Sequence, residues 1–264
     1  MVILFRKSLE QEGEFQIAQK HLQVVESRLE VPPGSTVIGR YSVLPYYEEL
    51  EADLVRNDSR LINLYQQHRY IADFHWYDRL KNYTPKTWFS LESVLADDYS
   101  GPYVVKGKTN SRKFLWNSHM FAKDKSDLRL VAFRLLDDSM IGSQGLIFRK
   151  FENFKNYGES LTGPPISKEF RFFILNGKIV DSGFYWSCFP EVVDKYNPQP
   201  GEVPQDFLDE IVELMGDLGF WVLDVAQRED GSWRVVELND AQMSGLSFIE
   251  PESFYRNIAK ILKN

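Results

Sequence analysis

The sequence predicts an α+β protein preceded by a small α/β unit, and three observations carry that expectation. Before residue 85, short apolar runs alternate with stretches of helical spacing, as in a small parallel sheet with helical connections. After Pro85, strand-like runs follow one another with helical stretches set to one side. Two hairpin signals stand late in the chain: Asn176-Gly177 between two apolar runs, and Asp230-Gly231 between Phe220–Ala226 and Trp233–Leu238. The expected division is therefore 1–84 and 85–264, the second part falling into 85–150 and 151–264.

The 264 residues are 43% hydrophobic and 14% aromatic, enough for a large core and for one or two domains. A net charge of -7 argues against a general nucleic-acid coat, while leaving room for a local basic groove. The one cysteine, Cys188, allows neither an internal disulfide nor a cysteine metal cage, and an unpaired thiol fits a reducing cytosol. The opening MVILFRKSLEQEGEF places charges directly after a short apolar run, unlike a signal peptide, and no run approaches the length of a membrane span. A soluble, cytoplasmic protein with a buried first strand is expected.

In order, Val2–Arg6 reads as a strand and Glu14–Leu29 as a helix with Phe15, Ala18, Leu22 and Val25 on one stripe. Val31-Pro-Pro-Gly34 breaks it, Thr36–Arg40 is a second strand, and the YYEELEADL segment is helical. Arg60–Tyr65 suits either a strand or a helix start, and Gln67–Lys81 is helical until Asn82-Tyr-Thr-Pro85. Beyond it lie an extended Thr87–Phe89, a short helix Leu91–Ala96, and the strand Tyr103–Lys106 introduced by Gly101-Pro102. A polar loop follows, then a helix Asp127–Leu136 with Ser126 as its cap, and a strand Leu146–Lys150. Glu169–Leu175 and Lys178–Trp186 pair about Asn176-Gly177, and proline-rich 187–203 reads as a loop. Phe207–Leu218 is an amphipathic helix stopped by Gly219, and Pro251–Lys263 closes the chain.

The late hairpin carries oxygen-bearing side chains in a telling pattern. Alternation puts Glu237 and Asn239 on one face of their strand, and the turn brings Asp224 beside them. Two carboxylates and an amide are hard donors of the kind that hold magnesium together with phosphates; the alternative is an edge hairpin with a merely wet face. Lys106 and Lys150 each end an apolar strand, where an unpaired ammonium is costly unless it meets an anion or snorkels past the strand end. After Lys106 come Gly107, Lys108, Asn110, Ser111, Arg112 and Lys113, a donor-dense loop able to close over phosphates or to stand as a solvated turn. Glu169, Arg171 and Phe173 share a face, and Arg171 suits either a bidentate phosphate or carboxylate clamp or an ordinary salt bridge. Asp181 and Tyr185 share a face too, and Asp240, Gln242, Ser244 and Gly245 lie on a loop where a substrate is conceivable. His21, His68, His75 and His119 are scattered and do not suggest a zinc site. No GxSxG, GxxxxGK[ST] or GxGxxG motif occurs, which removes the usual support for serine hydrolases, P-loop enzymes and Rossmann dinucleotide enzymes.

Taken in order, PYVVK (102–106), LIFRKF (146–151), KEFRFFILNGKIV (168–180) and FWVLDVAQREDGSWRVVELN (220–239) resemble the ATP-grasp superfamily from about 85 to 264. The α/β part before them resembles its pre-grasp domain. The most specific portion is Asp224 with Glu237 and Asn239 thirteen and fifteen residues later. The resemblance implies an ATP-grasp fold in which Asp224, Glu237 and Asn239 hold Mg2+ bridging the phosphates of ATP. It implies that Lys106 contacts phosphate, that Lys150 stands at the adenine hinge, and that Arg171, in E-x-R, stabilises the transferring phosphate. Lys108, Ser111, Arg149 and Glu169 are the further expected ATP-binding residues, with Lys106 and Arg171 as catalytic ones. The pattern looks closest to a divergent phage and bacterial clade marked by one arginine and two lysines. Two departures stand out: KTNSRKF in place of a glycine-rich flap, and NDAQMSGL in place of N-x-x-P-G.

The activity so implied is an ATP- and Mg2+-dependent carboxylate–amine ligase working through an acyl-phosphate, with a peptide or protein as one candidate acceptor. A phosphotransferase, and a nucleotide- or nucleic-acid-binding module with a degenerate site, are the alternatives. The implied partners are ATP, a carboxylate substrate and a nucleophilic acceptor; neither a membrane nor a nucleic-acid partner is expected.

Overall fold

The computed structural model describes residues 1–8, 11–160 and 163–263. The chain opens with a parallel sheet of β1 (Val2–Phe5), β2 (Val24–Val25), β3 (Thr36–Arg40) and β4 (Arg60–Leu61), in the order β2-β1-β3-β4. Its connections are α1 (Glu12–His21), a short 3-10 turn, and α2 (Tyr47–Arg56). The single helix expected over 14–29 therefore ends at His21. Val24 and Val25 pair instead with Ile3 and Leu4, where β-branched side chains suit a sheet edge. The helix expected over 67–81 is likewise two, α3 (Tyr65–Ala72) and α4 (Tyr77–Leu80), parted by Phe74 in the left-handed region at φ 64°.

An antiparallel sheet follows: β5 (Thr87–Trp88), β6 (Tyr103–Gly107), β7 (Phe121–Ala122) and β8 (Leu146–Lys150), ordered β5-β8-β6-β7. Helices α5 (Leu91–Ala96) and α6 (Lys125–Asp137) cover one face, closing a core of Val94, Tyr103, Val105, Leu128, Val131, Leu135 and Phe148. The cap of α6 is Asp124, not Ser126: its carboxylate accepts from the Ser126 and Asp127 amides at 2.8 and 2.9 Å. The other face of β6 and β8 presents Val104, Lys106 and Arg149 to a cavity.

After the small hairpin β9 (Asn156–Glu159) and β10 (Pro165–Ser167) comes the largest sheet. It consists of β11 (Glu169–Leu175), β12 (Lys178–Phe184), β13 (Phe220–Gln227) and β14 (Trp233–Asp240), all antiparallel in the order β12-β11-β13-β14. Both expected turns are where the sequence put them, with Asn176, Gly177 and Gly231 all at positive φ. Segment 187–203 is not the expected loop. It holds α7 (Pro190–Tyr196) and a 3-10 turn, because Pro190 sits in a first helical turn that has no amide bond to lose. Helix α8 (Gln205–Leu214) stops before Gly219; that glycine instead permits a close approach, since a Cβ there would lie 2.5 Å from the Ile62 carbonyl oxygen. Helix α9 (Pro251–Ile261) ends the fold.

Alternation gives this sheet two different faces. Phe170, Phe172, Ile174, Trp221, Leu223 and Val225 pack on Ile71, Trp76, Leu208 and Ile211 of the α3–α4 region and α8. Phe173, Leu175, Phe220 and Val222 pack on Ile3, Phe5 and Ile38 of the parallel sheet and on Phe254 and Ile258 of α9. Each such buried side chain contributes roughly 1.5–3 kcal/mol. The second face is apolar only over part of its length, and further along the same strands it carries Glu169, Arg171, Asp224, Glu237 and Asn239. The apolar half thus fixes where the polar half points.

A buried polar junction ties the parallel sheet to the end of β14. Asp240 accepts from Asn63 at 2.9 Å and Tyr47 at 3.2 Å and lies 3.1 Å from His68 Nδ1, while Gln242 bridges the Gly39 amide and the Tyr47 hydroxyl. Because every member has partners, the network rigidifies the joint rather than weakening it. Among the described residues no helix is long and apolar enough to cross a membrane.

Candidate active site

Between the middle sheet and the hairpin β13–β14 lies a cavity of about 520 Å³, within the range of a nucleotide-sized ligand. Its apolar walls include Trp116, Met120, Phe151 and Trp186, and its polar lining includes Lys106, Ser111, Lys113, Arg149, Glu169 and Glu237.

The charged floor follows directly from strand register. Arg171 of β11 is paired with Asp224 of β13, and Asp224 is paired with Glu237 of β14. Opposed residues share a face, so these three form a row across three neighbouring strands. A register shift between Asp224 and Val225 marks a bulge just beyond the row, a common device for aiming a side chain. The Arg171 guanidinium is bidentate on Asp224, with Nε to Oδ1 at 2.9 Å and Nη2 to Oδ2 at 2.8 Å, and Nη1 donates to the Gly245 carbonyl at 2.9 Å. Asn239 Nδ2 stands 3.3 Å from Asp224 Oδ2, so all three expected metal donors occupy one small region.

From across the cavity, Lys106 on β6 forms an ion pair with Glu237. Burial alone would raise the Glu237 carboxyl, but the cations of Lys106, Lys113 and Arg149 outweigh it and hold the group below its ordinary range. Burial pushes the Lys106 ammonium down. Glu169 accepts from the Ser167 hydroxyl at 2.8 Å, and Ser167 in turn accepts from the Trp186 indole at 3.2 Å. Burial raises Glu169 to about 7, against the pull of Lys113 and Ser167 in the other direction.

The structure separates the remaining sequence-selected residues. Ser111 lines the cavity. Arg149 lines it as well, but its guanidinium donates to the Val236 carbonyl and Thr84 hydroxyl at 2.6 Å each and to Thr87 at 3.2 Å, which joins the middle sheet to β14. Lys150 borders the cavity with its ammonium 5.5 Å from the Tyr99 ring, since alternation turns it to the opposite face from Arg149. Lys108 is a correction: it lies outside the cavity lining, 3.5 Å from Asp73, which captures its charge at the turn after α3. Asp181 is also elsewhere, accepting from Ser253 on α9, while Tyr185 lies under Arg171 with its ring 4.9 Å from the guanidinium carbon. Asp240, Gln242 and Ser244 are buried in the junction, and of that loop Gly245 alone reaches Arg171. The sequence reading missed Ser167 and Trp186. Ser167 was findable, since it stands two residues before Glu169 on the same side of a nearly continuous extended run.

Whether these residues suit Mg2+ turns on the donor set. Among the described residues no group of three or more His, Cys, Asp or Glu side chains is placed to hold a metal, so the candidate set is two carboxylates completed by the Asn239 amide oxygen. All three are hard oxygen donors, and both carboxylates already attract cationic groups to this spot, as residues suited to a divalent cation would.

Comparison with known proteins follows the same lines. Residues 94–258 match a family model described as an ATP-grasp domain, family 3 of the clade named for one arginine and two lysines. Three solved structures share the fold over nearly the whole length of both chains. They are the D-cycloserine synthetase DcsG (TM-score 0.60, 13% identity, 99% of each chain), the ATP-grasp ligase PsnB complexed with minimal precursor (0.59, 11%, 99% of this chain and 98% of that), and the macrocyclase MdnC bound with precursor peptide MdnA from Microcystis aeruginosa MRC (0.57, 14%, 100% and 99%). A search of the curated proteins finds no match. The cavity, the opposed acids and the facing lysine therefore sit in a chain that belongs to the ATP-grasp superfamily, in family 3 of its one-arginine, two-lysine clade.

Proposed function

We propose that this protein is an ATP-dependent ligase that activates a carboxylate as its acyl-phosphate and passes it to an amine or another nucleophile. The observation that carries the reading is the row Arg171–Asp224–Glu237 facing Lys106 across a nucleotide-sized cavity. In this reading the γ-phosphoryl group leaves ATP for a carboxylate oxygen, releasing ADP. The nucleophile then attacks the acyl carbon, and inorganic phosphate departs with the bond it carried. Asp224, Glu237 and Asn239 would hold Mg2+, which when bound neutralises phosphate oxygens. Arg171 and Lys106 meet the charge on the phosphoryl group, and the apolar walls keep water from an intermediate that hydrolyses readily.

Family membership supports ATP use, and the likeness to PsnB and MdnC, both solved with precursor peptides, supports a peptide or protein among the acceptors to be tried first. The test is product analysis: purified protein, ATP, Mg2+ and a panel of carboxylates and peptides should yield ADP and inorganic phosphate with one acceptor pair. AMP and pyrophosphate would exclude this chemistry, and a stable phosphorylated product would make the protein a phosphotransferase.

A further inference from the structure

The loop after β6 is fastened to its own sheet. The Asn110 amide and Thr109 hydroxyl donate to Gln144 at 3.1 and 2.9 Å, and the Arg112 guanidinium closes on Asp138 at 2.7 Å through both nitrogens. Held at these points, the 3-10 turn Lys113–Leu115 turns Phe114 outward, 77% exposed, and Lys113 into the cavity. There the Lys113 ammonium donates to the Tyr185 hydroxyl and lies 4.3 Å from the Tyr185 ring and 5.3 Å from that of Trp186.

Its charge is what distinguishes it. Lys106 is paired with Glu237 and Arg171 with Asp224, whereas among the described residues no carboxylate lies within 4.0 Å of Lys113. A phenol and two aromatic faces hold an ammonium in place without neutralising it. Leaving a cation half-buried against apolar walls is costly unless an anion arrives there. Lys113 and Arg149 both repel the Lys106 ammonium across the same space. A multiply charged anion relieves that repulsion more than a single carboxylate does.

We propose that Lys113 is a phosphate-binding residue of this cavity, delivered by a fastened loop to the terminal phosphate of a nucleoside triphosphate. The proposal deepens the ATP-dependent reading and rests on it. Calorimetry with ATP and adenosine in the presence of Mg2+ tests it on wild type and Lys113→Met. ATP affinity should fall about tenfold or more while adenosine affinity changes less than about twofold. Equal losses for both ligands, or no loss for ATP, would overturn it.

A second measurement needs no variant. Reductive methylation of wild type should find Lys113 protected by a non-hydrolysable ATP analogue and by inorganic triphosphate, but not by adenosine. Protection by acetate or a peptide carboxylate without protection by triphosphate would move Lys113 to the acceptor and refute the proposal. Wild type that binds no ATP at all would remove the nucleotide reading itself, an outcome distinct from ATP binding that ignores Lys113.

Discussion

Arg171 and Asp224 face each other on adjacent antiparallel strands, and the guanidinium closes on both carboxylate oxygens at 2.9 and 2.8 Å. Glu237, directly across the next strand, is closed in the same way by Lys106. Each acid placed to bind a metal is thus already neutralised by a cation placed to bind phosphate. Incoming phosphates draw off the cations and free the acids, so metal and nucleotide should bind cooperatively. We expect Mn2+, as a spectroscopic substitute for Mg2+, to bind about tenfold or more tightly with ATP present than alone, a coupling of roughly 1.4 kcal/mol. Electron paramagnetic resonance titration measures it, and equal affinities in the two states would count against the arrangement.

Replacing Arg171 by lysine should not be conservative. A lysine keeps the charge but loses the planar fork that holds two carboxylate oxygens and the Gly245 carbonyl together. Arg171→Ala, which leaves Asp224 buried and unpaired, should destabilise the fold by about 3–5 kcal/mol, and Arg171→Lys by clearly less. If the lysine variant matched the alanine variant in stability in urea, geometry rather than charge would be the whole of the interaction.

Glu169 gives the site a dependence on pH. Its carboxyl is raised from 4.5 to about 7, chiefly by burial. A raised acid binds its proton more tightly in the folded state, so its contribution to stability is fully present below about pH 4.5 and is lost as pH rises through about 7. At about 1.4 kcal/mol per pH unit the loss is at most about 3.5 kcal/mol. Glu169→Gln, which cannot ionise, should therefore be more stable than wild type at pH 8 and close to it at pH 4.5, in urea unfolding at the two pH values. A gap that stayed constant between them would show that the buried carboxyl titrates normally.

Much of this was legible in the sequence, and for a physical reason. Period-two alternation and a tight turn place Asp224, Glu237 and Asn239 on one face whatever else the chain does, as they do for Glu169 and Arg171. Elements set by distant partners were not legible. Val24–Val25 left its helical stripe because Ile3 and Leu4 offered an open edge, and Phe74 split a helix whose periodicity ran through it. The same holds in the site. Lys108 follows Lys106 by two residues and looks equivalent to it, yet Asp73 from a different part of the chain decides where its charge goes. Lys113 was visible only as one donor among several, and its solitary charge appears once the pairings of its neighbours are known.

Arg40 extends the reasoning to the joint between the parallel sheet and the large one. It is fully buried, donates to Glu14 at 3.2 and 2.7 Å, and holds the Ala241 and Ser244 carbonyls of the loop whose Gly245 meets Arg171. Tyr41 and Tyr255 donate their hydroxyls to the same Glu14 carboxylate. Arg40→Met should therefore cost about 3–5 kcal/mol, most of it from the Glu14 charge and the loop carbonyls left without their cation. Adding Glu14→Leu to Arg40→Met should recover part of that loss, because the double variant removes the stranded carboxylate. The four proteins of the cycle, compared in urea, give the coupling directly. Losses that simply add would show that Arg40 acts on the loop alone; a recovery of about 1 kcal/mol or more would show that the pair itself holds the joint on which the row of Arg171, Asp224 and Glu237 depends.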